Sequence, residues 1–441
     1  MSVDSIIVAK HIIPVIPRSI TYTDHAIVVD KGKILNLLPI KECESLYHSN
    51  NISHFNTHIV MPGLINAHGH AAMTLFRGLA DDLPLMEWLN DHIWPAEGQW
   101  VSEKFVYEGT KLAIAEMIKG GTSCFSDMYF FPDMAAKAAT EMGIRAQFCC
   151  PILDFPTVWG SGPDEYIEKA LTLFDQYKDN DSIHIGLGPH APYTVSDAPF
   201  SSIKKIAIEK NIPVQIHLHE TQFEVDEALQ SSNMRPIQRL ANLGLISKEI
   251  ALQCVHMTAL NTEDIEILMR SNANIIHCPE SNLKLASGFC EAQRLLDLGI
   301  NVALGTDGAA SNNDLDMFGE MRTAALIAKP IAQDASAFDA FTAIDTATIN
   351  GARALGIDHI TGSLEPGKSA DFIAIDLDKL NSRPSYNLYS DIVYSVNSQQ
   401  VTDHWIKGIH LLKDGKFTTI DEAAILKNAQ EWAEKIRNTR T

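Results

Sequence analysis

The segment Pro62-Gly63-Leu64-Ile65-Asn66-Ala67-His68-Gly69-His70 carries two histidines one residue apart at the end of an apolar run. In a β-strand, residues i and i+2 point to the same side. His68 and His70 can therefore aim two imidazoles at one point, and a divalent metal is the most economical reason to do so. A surface His-x-His at a strand end is the bland alternative. Later runs carry the groups that would complete a metal site. Val214-Gln215-Ile216-His217-Leu218-His219-Glu220 holds two more histidines on one side by the same period-2 rule, so either His217 or His219 could be a ligand. Leu304-Gly305-Thr306-Asp307-Gly308 offers a carboxylate that can bind metal and also take a proton from a bound water. Histidines from two strands plus Asp307 leave one coordination position for water, the open arrangement of a catalytic zinc site. A metal lowers the pKa of the water it holds to about 7. Glu220, just past the second histidine pair, is close enough to move protons between water, substrate and leaving group. Singly, His217 reads as a core histidine, Asp307 as a turn residue and Glu220 as a solvated loop acid. Their joint occurrence in this order makes coincidence improbable.

These groups need a scaffold that brings strand ends together. Eight strand candidates end near His70, Asp127, Asp154, His190, His219, His256, Pro279 and Asp307, with helical segments between most of them. One such helix spans Glu103–Ile118, with apolar residues near 3.6-residue spacing and a stop at Gly120-Gly121. Eight βα units predict a (β/α)8 TIM-type barrel over residues 61–361, whose strand C-termini share one face. Residues 1–60 are rich in short β runs: Ser5–Val8, Ala26–Val29 and Lys33–Leu35. After residue 361 the β character returns, with a turn and strand over Gly362–Ile375 and a hairpin over Val401–Lys413 and its continuation around Asp414-Gly415. The two β-rich ends, 1–60 and 362–441, are expected to pair as one small β-sandwich. Ile420–Thr439 reads as a charged amphipathic helix that would dock on its own barrel or on a neighbouring copy in a homo-oligomer.

Composition narrows the partners. The chain has 441 residues, 46% hydrophobic and 20% charged, with a formal net charge of −20. Such a field repels polyanions, so nucleic acid or an anionic membrane is not expected as a partner, and solubility is the simplest use of the charge. No apolar run reads as a membrane span and no signal pattern opens the chain. Seven cysteines, without a Cys-x-x-Cys, lie mostly in apolar stretches. They read as small core residues in a reducing compartment, and cytoplasm is the expected location.

The pattern His68-x-His70, His217-x-x-Glu220 and Asp307 resembles the amidohydrolase superfamily, and within it the deaminase/chlorohydrolase branch. The resemblance runs over nearly the whole chain. It includes Met61-Pro62-Gly63-Leu64, Ser281-Asn282-Leu283-Lys284-Leu285, Gly305-Thr306-Asp307-Gly308 and Glu365-Pro366-Gly367-Lys368-Ser369-Ala370-Asp371. Trp94-Pro95-Ala96-Glu97, Gly188–Thr194 and Gly305–Asn313 look like the loops of branch members that act on adenine nucleosides. The resemblance implies one zinc or iron ion held by His68, His70, His217 and Asp307, with Glu220 as proton shuttle and Glu97 and His190 contacting the nucleoside. Binuclear relatives bridge two ions with a carboxylated lysine on strand four, and Ile183–Thr194 contains no Lys.

Two points depart from the family pattern. Members usually carry a substrate-polarising histidine at the end of strand six, often in an Ala-His-Cys-Val-His context. Here the strand reads Ala251-Leu252-Gln253-Cys254-Val255-His256, so Gln253 takes the first position and His256 is left for the role. Some relatives hold the substrate's tail with arginines after strand three. Asp154–Glu168 contains none, and Trp159 or the cleft wall is expected to serve instead. Leu83, Leu85, Met86 and Trp88 could supply an apolar wall, or simply pack on the barrel.

The reaction implied is hydrolytic deamination of a small-molecule adenine nucleoside such as 5′-methylthioadenosine or S-adenosylhomocysteine. The attack falls on C6, Asp307 accepts the water proton, Glu220 protonates N1 and then the departing ammonia, and His256 stabilises charge on the attacking oxygen. Glu97 suits ribose hydroxyls, since a carboxylate accepts two hydrogen bonds. The His-x-Glu…Pro-Cys-x-x-Cys signature of cytidine-type zinc deaminases is absent in working order. Two rivals remain: a guanine, triazine or other aminated-heterocycle hydrolase with the same site, and a metal-stabilised binding protein without catalysis.

Overall fold

The computed structural model describes residues 1–438; of the predicted C-terminal helix, Thr439 lies outside the described residues. Eight parallel strands form the barrel: Leu64–Asn66, Thr122–Asp127, Arg145–Ile152, Ile183–Pro189, Val214–Leu218, Leu252–His256, Asn274–His277 and Val302–Leu304, called barrel strands one to eight. They neighbour one another in sequence order. The ring closes where Ala67 N donates to Leu304 O at 2.9 Å and Asp307 N donates to His68 O at 3.1 Å. Strands buried on both faces should be apolar throughout, and every residue of Arg145–Ile152 is buried. Helices between the strands follow the predicted alternation. The helix Glu103–Lys119 starts at Ser102, whose hydroxyl accepts from Phe105 N, and stops before Gly121, which has φ 84°.

The terminal segments meet in a second sheet of eight strands. Ser5–Ile12, Tyr22–Asp30, Lys33–Pro39 and Ile52–Pro62 come from the N-terminal side, and Phe372–Asp376, Val401–Ile406, Ile409–Lys413 and Lys416–Phe417 from the C-terminal side. The seam is antiparallel, with Ala374 opposite Val60. The sheet curls until Lys33 pairs with Ser369, enclosing a small core around Ile7, Ile27, Phe55, Phe372 and Trp405. The predicted hairpin over Val401–Lys413 differs in one respect. A tight turn at Lys407-Gly408, both at positive φ (55° and 72°), splits it, so Asp414-Gly415 makes a second turn rather than the first.

Two joints couple this sheet to the barrel. Ile52–Pro62 runs into barrel strand one through Gly63, where a Cβ would fall 1.6 Å from Ser123 Oγ. Only glycine fits there, which accounts for the Pro-Gly before the histidine pair. At the second joint, Arg145 donates to Asp371 Oδ2 (2.6 Å), Asp181 O (2.6 Å) and Ser369 Oγ (2.7 Å). The C-terminal helix Glu422–Asn438 docks on its own barrel. Trp432 packs on Phe105 at 5.3 Å between ring centroids and donates its indole N–H to Glu108 at 2.5 Å.

Candidate active site

At the C-terminal ends of the barrel strands, His68, His70 and His217 bring one ring nitrogen each to within 4.8 Å of one another. A backbone or amide oxygen fixes the tautomer of every ring. His68 Nδ1 lies 2.8 Å from Gln215 Oε1, His70 Nδ1 2.6 Å from Met128 O, and His217 Nδ1 2.8 Å from His190 O. Each Nδ1 donates, so in the neutral rings each Nε2 carries a lone pair. Burial, reinforced by the neighbouring histidines, lowers the pKa of His217 far below its usual range, and burial takes His68 down to about 4. Two unprotonated Nε2 atoms, of His68 and His217, therefore face each other at 3.2 Å. With both rings neutral and both Nδ1 atoms donating, no hydrogen lies between them. A cation between them turns this repulsion into coordination.

Asp307 completes the cluster. Its Oδ1 lies 3.2 Å from His70 Nε2 and 3.5 Å from His68 Nε2. Its Oδ2 accepts from Ser281 Oγ at 2.6 Å and Ser311 Oγ at 2.8 Å, which holds the carboxylate in one orientation. Without a metal, burial is the largest single influence and opposes charge on His70, but the hydrogen bond to Asp307, the Asp307 charge and the Met128 carbonyl together outweigh it and lift the pKa to about 9. One proton there satisfies Asp307 and leaves the His68–His217 opposition untouched. Three imidazoles with fixed tautomers and one oriented carboxylate fit a divalent metal with an open position.

Barrel strands five, six and eight lead into residues with left-handed backbone: His219 (φ 50°), His256 (φ 75°) and Asp307 (φ 60°). Such conformations are costly outside glycine and gather at functional sites. They decide what alternation alone leaves open on strand five. The strand stops at Leu218, and the turn at His219 breaks the period of two. His219 Nδ1 donates to Ala259 O at 3.0 Å and its Nε2 accepts from Ile237 N at 3.2 Å, so both nitrogens are used by backbone. His217 is the strand-five member of the cluster.

Glu220 is buried, and burial followed by the charge of Asp307 raises its carboxyl pKa to about 8. Its backbone N–H and that of His219 donate to the buried Glu224 carboxylate at 2.9 and 3.0 Å. His256 Nε2 lies 3.8 Å from Glu220 Oε2, and its Nδ1 is 2.9 Å from Asn282 Oδ1. Gln253, the other strand-six position, lies beneath the site. It bonds to Gln147 and to Gln215, the residue that also holds His68.

A cavity of about 300 Å³ opens over this cluster, and His70, His217, Glu220, His256 and Asp307 line it together with Glu97 and His190. Burial raises the Glu97 carboxyl pKa to about 7 against the opposing effects of Tyr129 and His70. Burial lowers His190 to about 4, and its Nδ1 lies 3.1 Å from Thr194 Oγ1. The outer wall is apolar, with Leu85, Trp88, Leu89, Leu153, Phe155 and Val158. Of the four wall candidates after strand one, Leu85 and Trp88 line the cavity, while Leu83 packs against the core.

Trp159 is a correction. Its ring stacks on Tyr166 at 5.7 Å and is buried in the flank, so the neighbours Phe155 to Val158 face the cavity and Trp159 does not. Sequence reasoning missed Tyr129, Phe155 and Tyr193, which also line the cavity. Two of them had a signal: Tyr129 lies two residues past the buried end of strand two at Asp127, and Tyr193 lies inside the Gly188–Thr194 loop.

The Amidohydrolase family model matches residues 59–410, and the chain belongs to the amidohydrolase family. Over 437 residues it is 53% identical to a 5-methylthioadenosine/S-adenosylhomocysteine deaminase of Saccharophagus degradans, covering 99% of this chain and 98% of that one. It is 42% identical over 375 residues to a 5′-deoxyadenosine deaminase of Methanococcus vannielii, covering 85% and 87% of the two chains. Among solved structures it is similar to an adenosine deaminase from Xanthomonas campestris with bound zinc, with a TM-score of 0.97, 44% identity and 99% of both chains covered.

Proposed function

We propose that this chain is a metal-dependent hydrolytic deaminase that converts the 6-amino group of adenine nucleosides, 5′-methylthioadenosine and S-adenosylhomocysteine among them, to the inosyl product and ammonia. The observation that carries the reading is the opposed Nε2 pair of His68 and His217 beside Asp307, in a cavity that Glu220 also lines. The similarity to deaminases of adenine nucleosides supports the ring assignment. Zinc is the metal we assign, in line with the zinc in the Xanthomonas relative; imidazole and carboxylate ligands also suit iron.

His68, His70, His217 and Asp307 would hold the ion, which supplies Lewis-acid activation of a water when bound. Asp307 keeps Oδ2 on two serine hydroxyls, and Oδ1 is the atom that takes the water proton. Glu220, with a pKa near 8, holds a proton at neutral pH and can pass it to N1, then help deliver one to the leaving ammonia. His256 would stabilise charge on the attacking oxygen through a protonated Nε2, the ring atom 3.8 Å from Glu220 Oε2, while its Nδ1 donates to Asn282 Oδ1. His190, neutral and donating to Thr194, offers its other nitrogen to the nucleoside as an acceptor. Glu97 accepts from ribose hydroxyls, and the apolar wall of Leu85, Trp88, Phe155 and Val158 suits a thioether tail.

Among the described residues no helix is long and apolar enough to cross a membrane. All seven cysteines are free and buried, which supports a reducing compartment, the cytoplasm. The test is ammonia release by zinc-loaded protein offered 5′-methylthioadenosine, S-adenosylhomocysteine, adenosine and guanine side by side. Turnover of the adenine nucleosides is the expected result. Turnover of guanine alone, or of none of the four, would remove the substrate assignment.

A further inference from the structure

Tyr129 is 4% exposed, lines the cavity, and its hydroxyl makes no hydrogen bond to any described residue. Native structures seldom leave a buried hydroxyl without a partner, and such an orphan calls for an explanation. The ring is held in place, 6.2 Å from the His70 ring and 5.3 Å from Phe130 between centroids. Beside it stands Glu97, carried by a separate helix, Trp94–Trp100, and also lining the cavity. The two groups influence each other's ionisation without closing a hydrogen bond of sound geometry. Once Glu97 is ionised, above about pH 7, the cavity presents one phenolic donor and one carboxylate acceptor.

We propose that Tyr129 and Glu97 together clamp one sugar hydroxyl of the substrate, with the Tyr129 O–H donating to the hydroxyl oxygen and the hydroxyl donating to Glu97. An alcohol satisfies both partners at once, because it is donor and acceptor in one group. A carboxylate cannot donate to Glu97, and an ammonium cannot accept from Tyr129. The inference rests on the nucleoside reading above and adds the residue that makes the site read the sugar as well as the ring, so that a free base leaves the buried Tyr129 and the half-buried Glu97 unpaired. A site built around a substrate hydroxyl rejects the analogue that lacks it.

The test is Tyr129→Phe in the full-length, zinc-loaded protein, with 5′-methylthioadenosine and its 2′-deoxy and 3′-deoxy analogues. In the wild type, removing the clamped hydroxyl should lower kcat/KM. In Tyr129→Phe, kcat/KM for 5′-methylthioadenosine should fall about tenfold, mainly through KM, while one of the two deoxy analogues loses much less. The discrimination against that analogue should shrink accordingly. The Tm of the substrate-free variant should be unchanged or raised, since the removed hydroxyl has no partner in the free protein. Glu97→Ala should shrink the same discrimination. Unchanged discrimination against both analogues, or an equal loss on all three substrates, would overturn the clamp. A wild type that deaminates no nucleoside would overturn the functional reading itself, whereas active wild type with unaltered discrimination in both variants removes the clamp alone.

Discussion

Two buried polar clusters sit in this molecule, and they are built on opposite principles. At the joint between barrel and terminal sheet, Arg145 and Asp371 are 3% and 1% exposed, yet every strong group is matched. The Arg145 guanidinium has three acceptors, and Asp371 Oδ1 takes Ser369 Oγ and Lys407 N, each at 2.7 Å. At the strand ends, the histidine cluster sets lone pair against lone pair and leaves Tyr129 and one oxygen of Asp127 without partners. The joint is complete as it stands and serves cohesion. The histidine cluster is complete only with something bound. Burial alone therefore does not mark a functional site; burial with unmet valence does.

The contrast can be broken at either end. Glu220→Gln should have the largest effect, a loss of about 10²–10⁴ in kcat with metal content unchanged, because it removes the transferable proton and touches no proposed ligand. Steady-state kinetics with metal analysis checks it. Asp371→Ala should cost about 3–5 kcal/mol of stability by stranding the Arg145 charge, while the folded fraction keeps its metal and its kcat. Denaturant unfolding reads the first part, and activity per folded molecule reads the second. Gln215→Leu frees His68 Nδ1 and should weaken metal affinity about 10–100-fold with little change in fold, as competition with a chelator would measure.

The smallest effect concerns pH. Glu97 holds its proton up to about pH 7 in the folded protein against an ordinary value of 4.5, chiefly through burial. Between those values the folded state binds more protons than the unfolded chain, so this carboxyl makes stability fall as pH rises through the window. Glu97→Gln removes that dependence. Its Tm relative to wild type should climb as pH goes from 4.5 to 7, and a flat difference would contradict the assignment.

Much of this site was legible in the chain, and the reasons are local. His68 and His70, Asp307 and Glu220 announce themselves because a strand's period of two and its abrupt end are short-range properties. The same rule could not choose between His217 and His219, since the choice depends on a left-handed residue at the strand end that alternation does not encode. Trp159 was misjudged because tertiary packing sets the direction of a loop side chain, and Tyr166 captures that ring. For the same reason Tyr129 and Phe155 stayed hidden. The motif Glu365–Asp371 was visible as a resemblance, but its work is cohesion: Ser369 and Asp371 anchor Arg145 on barrel strand three. In Ser281-Asn282, by contrast, one residue holds Asp307 and the next holds His256.

One cation resolving the His68–His217 opposition and enabling deamination is the central requirement of the site. Its most direct test is to strip the protein of metal and add zinc back in steps while following conversion of 5′-methylthioadenosine to its inosyl product. Activity should be absent at the start, rise in proportion to zinc and level off at one ion per chain. Full activity without metal, or a plateau reached only at two ions per chain, would contradict it.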